Sequence, residues 1–290
     1  MQQEQLFGFL NVYKPKGMTS HDVVSCMRRV TKVKQIGHTG TLDPFAEGVL
    51  PICIGKATRL IEYLADDKEY LATVKFGVTT DSYDLDGAVV KTSNKKVSEQ
   101  DILDLLPSFR GAISQMPPIY SAIKVKGKKL YEYARSGEEV KIEPRQVFIE
   151  KLEMKNFDEV EQTAEILVKC SKGTYIRSIA HDLGEMAGCG AHLIKLVRTQ
   201  AGKFLIENSI NLDNFSTKDF VSENLINPLS ILDCKKVFVN DIEQAKIKNG
   251  VAIKNRNDIL LNEVVILQYN DIISAVGLVD SDKILIKKVF

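Results

Sequence analysis

The chain has 290 residues, 44% hydrophobic and 27% charged, ordinary proportions for a globular protein with one large unit and room for a small second one. No apolar run reaches about 18 residues, and the opening "MQQEQLFGFLNVYKPKG" has no basic start followed by an apolar core, so neither a transmembrane helix nor a signal peptide is expected. A formal net charge of +1 excludes a uniformly basic binder of polyanions, but not one that segregates its charge.

"FGFLNVYK" (7–14) reads as a buried strand. Residues 13–34 then carry Lys14, Lys16, Arg28, Arg29, Lys32 and Lys34 against one acid, Asp22. Within that stretch, "TSHDVVSCMRRVTKV" predicts a helix, with Ser20 as its cap and Val23, Met27 and Val30 at helical spacing. "GHTGTLDPFAEGVL" (37–50) follows, too rich in glycine for a helix, with Asp43 set before a proline. "LPICIG" reads as a short buried strand, "KATRLIEYLADD" as a helix and "KEYLATVKFGVTT" as a strand with alternation. "SEQDILDLLPSF" predicts a capped helix ended by Pro107.

Residues 116–142 read as an insertion: a double proline, the basic run "KVKGKK", a short helix and Gly137. Lys126, Lys128 and Lys129 of that run are expected to clamp a nucleic-acid backbone, and in its absence to repel one another with no packed partner. "RQVFIEKLEMKNF" and "TAEILVKCSKG" read as neighbouring strands, and "TYIRSIAHDLGEMAG" as a helix with Gly188 near its end. The pattern loosens over 205–230, with a boundary expected at Pro228. Five short segments and one helix after it predict a small, mostly β unit. Strands and helices mix without a βαβ rhythm, so the fold class expected is α+β with a mixed or antiparallel sheet. Cys26, Cys53, Cys170, Cys189 and Cys234 form no CxxC pair and fit reduced thiols, hence a cytoplasmic location.

Several catalytic signatures fail. "GVLPICIGKAT" has six residues between its glycines where a P-loop needs four, and "GHTG" lacks the helix start of a KH loop. Cys189 and His192 have no second pair near them, so no metal is expected, and no GxSxG elbow occurs. Asp43 remains. An Asp-Pro pair is a common turn former; it also suits a carboxylate nucleophile or general acid–base. A working carboxylate in a cleft needs a cation to stay ionised, and Arg177, at a helix start after a glycine turn, is the candidate for a bidentate pair. Tyr70 and Tyr175 are either core-edge aromatics or faces for an extruded base.

Taken in order, "GFLNVYKPKGMTSHDVV", "GHTGTLDPFAEGVLPICIGKATR", "KEYLATVKFGVTTDSYDLDG", "QMPPIYSAIKVKGKKLYEYARSGEEV", "CSKGTYIRSIAHDLG" and "GAHLIKLVRTQAG" resemble the motifs of the TruB family of tRNA pseudouridine synthases, over about residues 7–205. The resemblance implies isomerisation of a T-loop uridine, at tRNA position 55, to pseudouridine, with tRNA as partner and neither metal nor cofactor. It implies Asp43 as the catalytic carboxylate, Tyr70 stacked on the flipped base, and Tyr175 and Arg177 beside them. His38 would contact the T-loop and Leu196 would wall the base pocket; Lys14, from its basic stretch, is expected to join the insertion lysines on RNA. It also implies a pseudouridine synthase catalytic domain over 1–228, its insertion acting as an RNA-closing thumb, and a PUA-like unit over 229–290. A monomer is expected. Two other readings stand beside it: an RNA-binding protein without activity, and a carboxylate-dependent glycosidase, which needs a second carboxylate at a set separation.

Overall fold

The computed structural model describes residues 6–255 and 259–290. A large mixed sheet forms the frame. Its strands run in the order Ile210–Asn211, Gly8–Lys14, Glu47–Ile54, Ala191–Ala201, Lys68–Phe76, Thr163–Cys170, Arg145–Asp158 and Gly111–Gln115. Ile36–His38 adds to the edge of Glu47–Ile54, and Phe204–Leu205 to that of Ala191–Ala201. All pairs are antiparallel except Gly8–Lys14 with Ile210–Asn211 and Glu47–Ile54 with Ala191–Ala201. The α+β expectation and its largely antiparallel sheet therefore hold.

Sequence pattern explains the layers. Lys68–Phe76 alternates buried and half-buried residues along its length, with Tyr70, Ala72, Val74 and Phe76 on the core face. Glu47–Ile54 is buried almost throughout, as its continuous apolar run predicts for a strand covered on both faces. The helices Ser20–Thr31 and Ile176–Met186 pack on this sheet, burying Val23, Val24 and Met27 from one and Ile176, Ile179, Ala180 and Leu183 from the other.

Three local expectations change. The cap of Ser20–Thr31 is Thr19, whose hydroxyl accepts from the Asp22 N–H while Asp22 accepts from the Thr19 N–H, a reciprocal capping box. Ser20 has other work: its hydroxyl donates to the Leu42 carbonyl and accepts from the Leu42 N–H at 2.8 Å. The stretch 56–67, expected as a helix, is helical only over Gly55–Tyr63, and there as a 3-10 helix. Pro107 does not end its helix outright; Glu99–Leu105, capped by Ser98, passes into a 3-10 turn over Leu106–Phe109 that contains it.

After Pro228, Lys235–Phe238, Val264–Tyr269, Ile272–Asp280, Lys283–Val289 and Ile253–Lys254 form a second sheet in that order, with the helix Asp241–Lys248 beside it. This sheet has a core of its own, around Ile247, Val265, Leu267 and Ile284. It also shares one with the large sheet. Phe9, Val49, Cys53 and Leu60 pack in a single cluster with Leu229, Ile266, Ile273 and Val276. Arg59 donates to the Val289 carbonyl, and Lys288 donates back to the Arg59 carbonyl and pairs with Glu62. Among the described residues no helix is long and apolar enough to cross a membrane.

Candidate active site

The segment around Asp43 is an irregular loop pinned at several points. Leu42, Phe45 and Ala46 are buried on either side of the aspartate. Ser20 holds Leu42 from the neighbouring helix, the Gly17 N–H donates to the Pro44 carbonyl, and the Ala46 N–H closes a turn onto the Asp43 carbonyl. The following glycine is obligatory. Gly48 has φ +104°, and a Cβ there would stand 2.3 Å from the Arg198 carbonyl. The chain can then pass directly against the strand that carries Arg198.

Asp43 opens into a cleft of about 450 Å³. Tyr70, Tyr175, Arg177, Leu196 and Arg198 line it with Asp43, although they come from three separate parts of the chain. Four residues singled out from sequence beside Asp43 are thus brought together. Arg177 Nη2 donates to Asp43 Oδ1 at 3.2 Å, and its Nε lies 3.0 Å from Oδ2, close enough for an ion pair but off the line of a hydrogen bond. The Asp43 side chain is 34% exposed, whereas that of Arg177 is 5% exposed. Burial pushes the Asp43 carboxyl above its ordinary pKa; Arg177 opposes that rise, Asp84 adds to it, and Lys14 opposes it.

Arg177 does more than pair with Asp43. Its Nη2 also donates to the Tyr120 carbonyl at 3.0 Å. Its Nη1 donates to the Ser82 carbonyl at 3.2 Å and lies 3.2 Å from Asp84 Oδ2. Asp84 is buried, and its Oδ1 accepts from the Ser82 hydroxyl and the Asp86 N–H. Sequence reading missed Asp84, although it lies in the quoted "DSYDLDG"; a second acid far along the chain gives no sign of a shared arginine. The turn that delivers it also requires Gly87, where a Cβ would stand 2.3 Å from the Ser82 hydroxyl.

Arg198 was missed for a similar reason. It is fully buried, and its guanidinium donates to the Val49, Thr41 and Gly40 carbonyls, which fixes the loop leading to Asp43. Tyr70, directly across the strand pair from Arg198, is buried. Burial pushes its phenol up, and the neighbouring Arg198 guanidinium offsets part of the rise. Lys68 lines the cleft nearby, its ammonium on the Asp66 and Asp67 carbonyls. The Tyr175 backbone is gripped from both sides by Gln115, whose Oε1 accepts from its N–H and whose Nε2 donates to its carbonyl.

The remaining expected contacts fall elsewhere. His38 sits on the edge strand Ile36–His38, outside the residues lining this cleft, and its Nδ1 has no hydrogen-bond partner among the described residues. Lys14, expected on an RNA-facing surface, is fully buried. Its ammonium donates to the Pro15, Met18 and Pro44 carbonyls, and burial lowers its pKa to about 8. It therefore braces the Asp43 loop from below. The insertion is a hairpin, Lys124–Val125 with Lys128–Lys129, followed by the helix Leu130–Ser136. Two of its three lysines named above have partners. Lys128 pairs with Glu138 at 2.6 Å and sits over the Tyr133 ring, and Lys129 sits over the Tyr131 ring. Lys126 is exposed at the hairpin tip. No group of three potential metal ligands occurs among the described residues.

Comparison with known proteins gives this cleft a lineage. Residues 28–176 match the model described as TruB family pseudouridylate synthase (N terminal domain), and residues 177–229 match that of the tRNA pseudouridylate synthase B C-terminal domain. A tRNA pseudouridine synthase B of Symbiobacterium thermophilum is 47% identical over 84% of this chain and 82% of its own. One of Clostridium tetani is 40% identical over 92% and 90%. Among solved structures, a chain from a Cbf5–Nop10–Gar1 complex superposes with a TM-score of 0.72 at 25% identity, covering 98% of this chain and 84% of that one. With the motifs, the fold and most of the chain in agreement, the protein belongs to the TruB family of tRNA pseudouridine synthases.

Proposed function

We propose that the protein converts the T-loop uridine at tRNA position 55 to pseudouridine, with Asp43 as the catalytic carboxylate. The observation that carries this reading is the Asp43–Arg177 pair at the floor of a cleft with room for one extruded base. Extrusion is required because the reacting atoms of a stacked uridine are out of reach. The reaction breaks the C1′–N1 bond, turns the uracil and joins C5 to C1′, while the C5 proton leaves and N1 is protonated. It is redox-neutral.

In this reading Arg177 keeps Asp43 ionised against the desolvation of the cleft. Tyr70 offers its ring to the uracil face, and Leu196 closes the apolar side of the pocket. Tyr175 stands next to the arginine as base or orienting group. His38 meets the T-loop outside the pocket. The hairpin and helix of 116–142 act as the thumb, and their root is already tied to the site through the Tyr120 carbonyl on Arg177. Residues 1–228 form the catalytic domain and 229–290 a PUA-like unit.

The test is a T-stem-loop transcript incubated with the purified protein and analysed by chemical derivatisation, since pseudouridine and uridine have equal mass. Pseudouridine at the T-loop site, absent with Asp43→Ala, is expected. Free uracil would indicate a glycosidase, and binding without product an inactive RNA-binding protein.

A further inference from the structure

The turn that brings Asp84 to Arg177 is held in an unfavourable conformation. Tyr83 has φ +63°, a left-handed backbone that is costly for a bulky residue. It is the one aromatic residue with positive φ among the described residues. Its two neighbours explain the conformation. The Ser82 carbonyl and the Asp84 carboxylate, on either side of it, both meet the same Arg177 Nη1, each at 3.2 Å. Extended backbone at 83 would turn one of them away.

The turn is closed on itself by the Thr80 hydroxyl and the Gly87 N–H, both donating to the Asp84 carbonyl, and by Asp81 with Ala88. The Tyr83 N–H reaches the Thr80 carbonyl at 3.3 Å, and the Tyr83 carbonyl accepts from the Leu193 N–H. The Tyr83 side chain adds a contact from this turn to the arginine helix. The Tyr83 ring stacks on His181, with centroids 3.8 Å apart and planes 12° apart. His181 lies four residues after Arg177 on the helix Ile176–Met186, hence on the same face one turn further on. Its Nδ1 has no hydrogen-bond partner among the described residues.

We propose that the Tyr83–His181 stack is a positioning element for the reaction: it locks the left-handed turn to the arginine helix, so that Ser82 and Asp84 hold the guanidinium that faces Asp43. The proposal rests on the assignment of Asp43 and Arg177 as the reacting centre. Its working part is the ring face, not the tyrosine hydroxyl.

Single-turnover pseudouridine formation at saturating T-stem-loop tests it, alongside RNA affinity and thermal midpoint. Tyr83→Ala and His181→Ala are each expected to lower the rate by about two- to tenfold, the scale of one aromatic pair, with RNA affinity unchanged. The double variant should be no slower than the worse single one, because both remove the same contact. Tyr83→Phe and His181→Tyr keep a stack and should stay within about twofold of the starting rate. Tyr83→Gly separates backbone from ring, since glycine adopts the turn without strain; it should be as slow as Tyr83→Ala. A wild-type rate for Tyr83→Ala or Tyr83→Gly, or additive losses in the double variant, would overturn the proposal. Absence of product with the unaltered protein would instead defeat the functional assignment beneath it.

Discussion

Arg177 Nη1 lies 3.2 Å from Asp84 Oδ2, and neither side chain is more than 6% exposed. The guanidinium is thus anchored on one side by a carboxylate that never meets solvent, and presents its other edge to Asp43, which does. A fork held in this way cannot swing toward a substrate phosphate. In the proposed reaction it would set the charge and direction of one carboxylate.

The first prediction concerns what Asp43 costs the fold. Burial raises its pKa, so between the unfolded and the folded value the native state binds more protons than the unfolded one. Stability from this group is therefore greatest in acid and falls as pH rises through the folded pKa. At neutral pH the ionised carboxylate is a net cost. Asp43→Asn should abolish pseudouridine formation yet unfold at the same or a higher temperature at pH 7, an advantage that fades in acid. A clear drop in melting temperature at pH 7 would show that the pair with Arg177 outweighs desolvation.

Arg177→Lys keeps the charge but not the fork. One ammonium cannot reach Asp43, Asp84 and the Ser82 and Tyr120 carbonyls together. The expected single-turnover rate is lower by about 10- to 100-fold, the equivalent of one or two charge-assisted hydrogen bonds, with RNA affinity preserved. Near-normal turnover would mean that charge alone suffices.

Asp84 gives a prediction with a sign. Its charge raises the Asp43 pKa, and the proposed reaction needs Asp43 ionised, so the acid limb of the rate should lie above that of an ordinary carboxylate. Asp84→Asn removes the like charge. It should move that limb to lower pH while lowering the plateau, because Arg177 loses an anchor. Rates measured across the acid range decide it: a limb that stays in place would show that Asp84 acts on the arginine's position alone.

The contrast between Asp43 and Asp84 shows what the chain discloses by itself. Asp43 is legible because its block compresses glycines, a proline and an aspartate into one short stretch whose backbone cannot be regular. The strands are legible too, since Lys68–Phe76 writes its alternation openly. Asp84 and Arg198 are not, because their partners are 93 and roughly 150 residues away and lie on other elements; the separation of Arg198 from Val49 is 149. Lys14 misleads for the opposite reason. A lysine in a basic stretch resembles a surface charge, and only the fold reveals the three carbonyls that draw it inside.

The last prediction follows from the insertion. Each lysine that meets an RNA phosphate releases counterions, so removing one contact should lower the slope of log affinity against log salt by roughly 0.7–0.9. The three lysines do not start equal. Lys126 is exposed at the hairpin tip, whereas Lys128 must leave Glu138 before it can serve RNA, and Lys129 is engaged with Tyr131. Lys126→Ala should therefore reduce the slope by a full contact, and Lys128→Ala by less. Glu138→Gln should act the other way, releasing Lys128, strengthening binding at moderate salt and steepening the slope. Lys14→Met is the internal control: a lysine buried beneath the Asp43 loop contributes no counterion release, so its loss should lower turnover and melting temperature while leaving the slope unchanged. Binding titrated across a salt series separates these cases. Equal slopes for the starting protein and Lys126→Ala would show that the hairpin is a solvated surface, and a shallower slope for Lys14→Met would return that residue to the RNA interface.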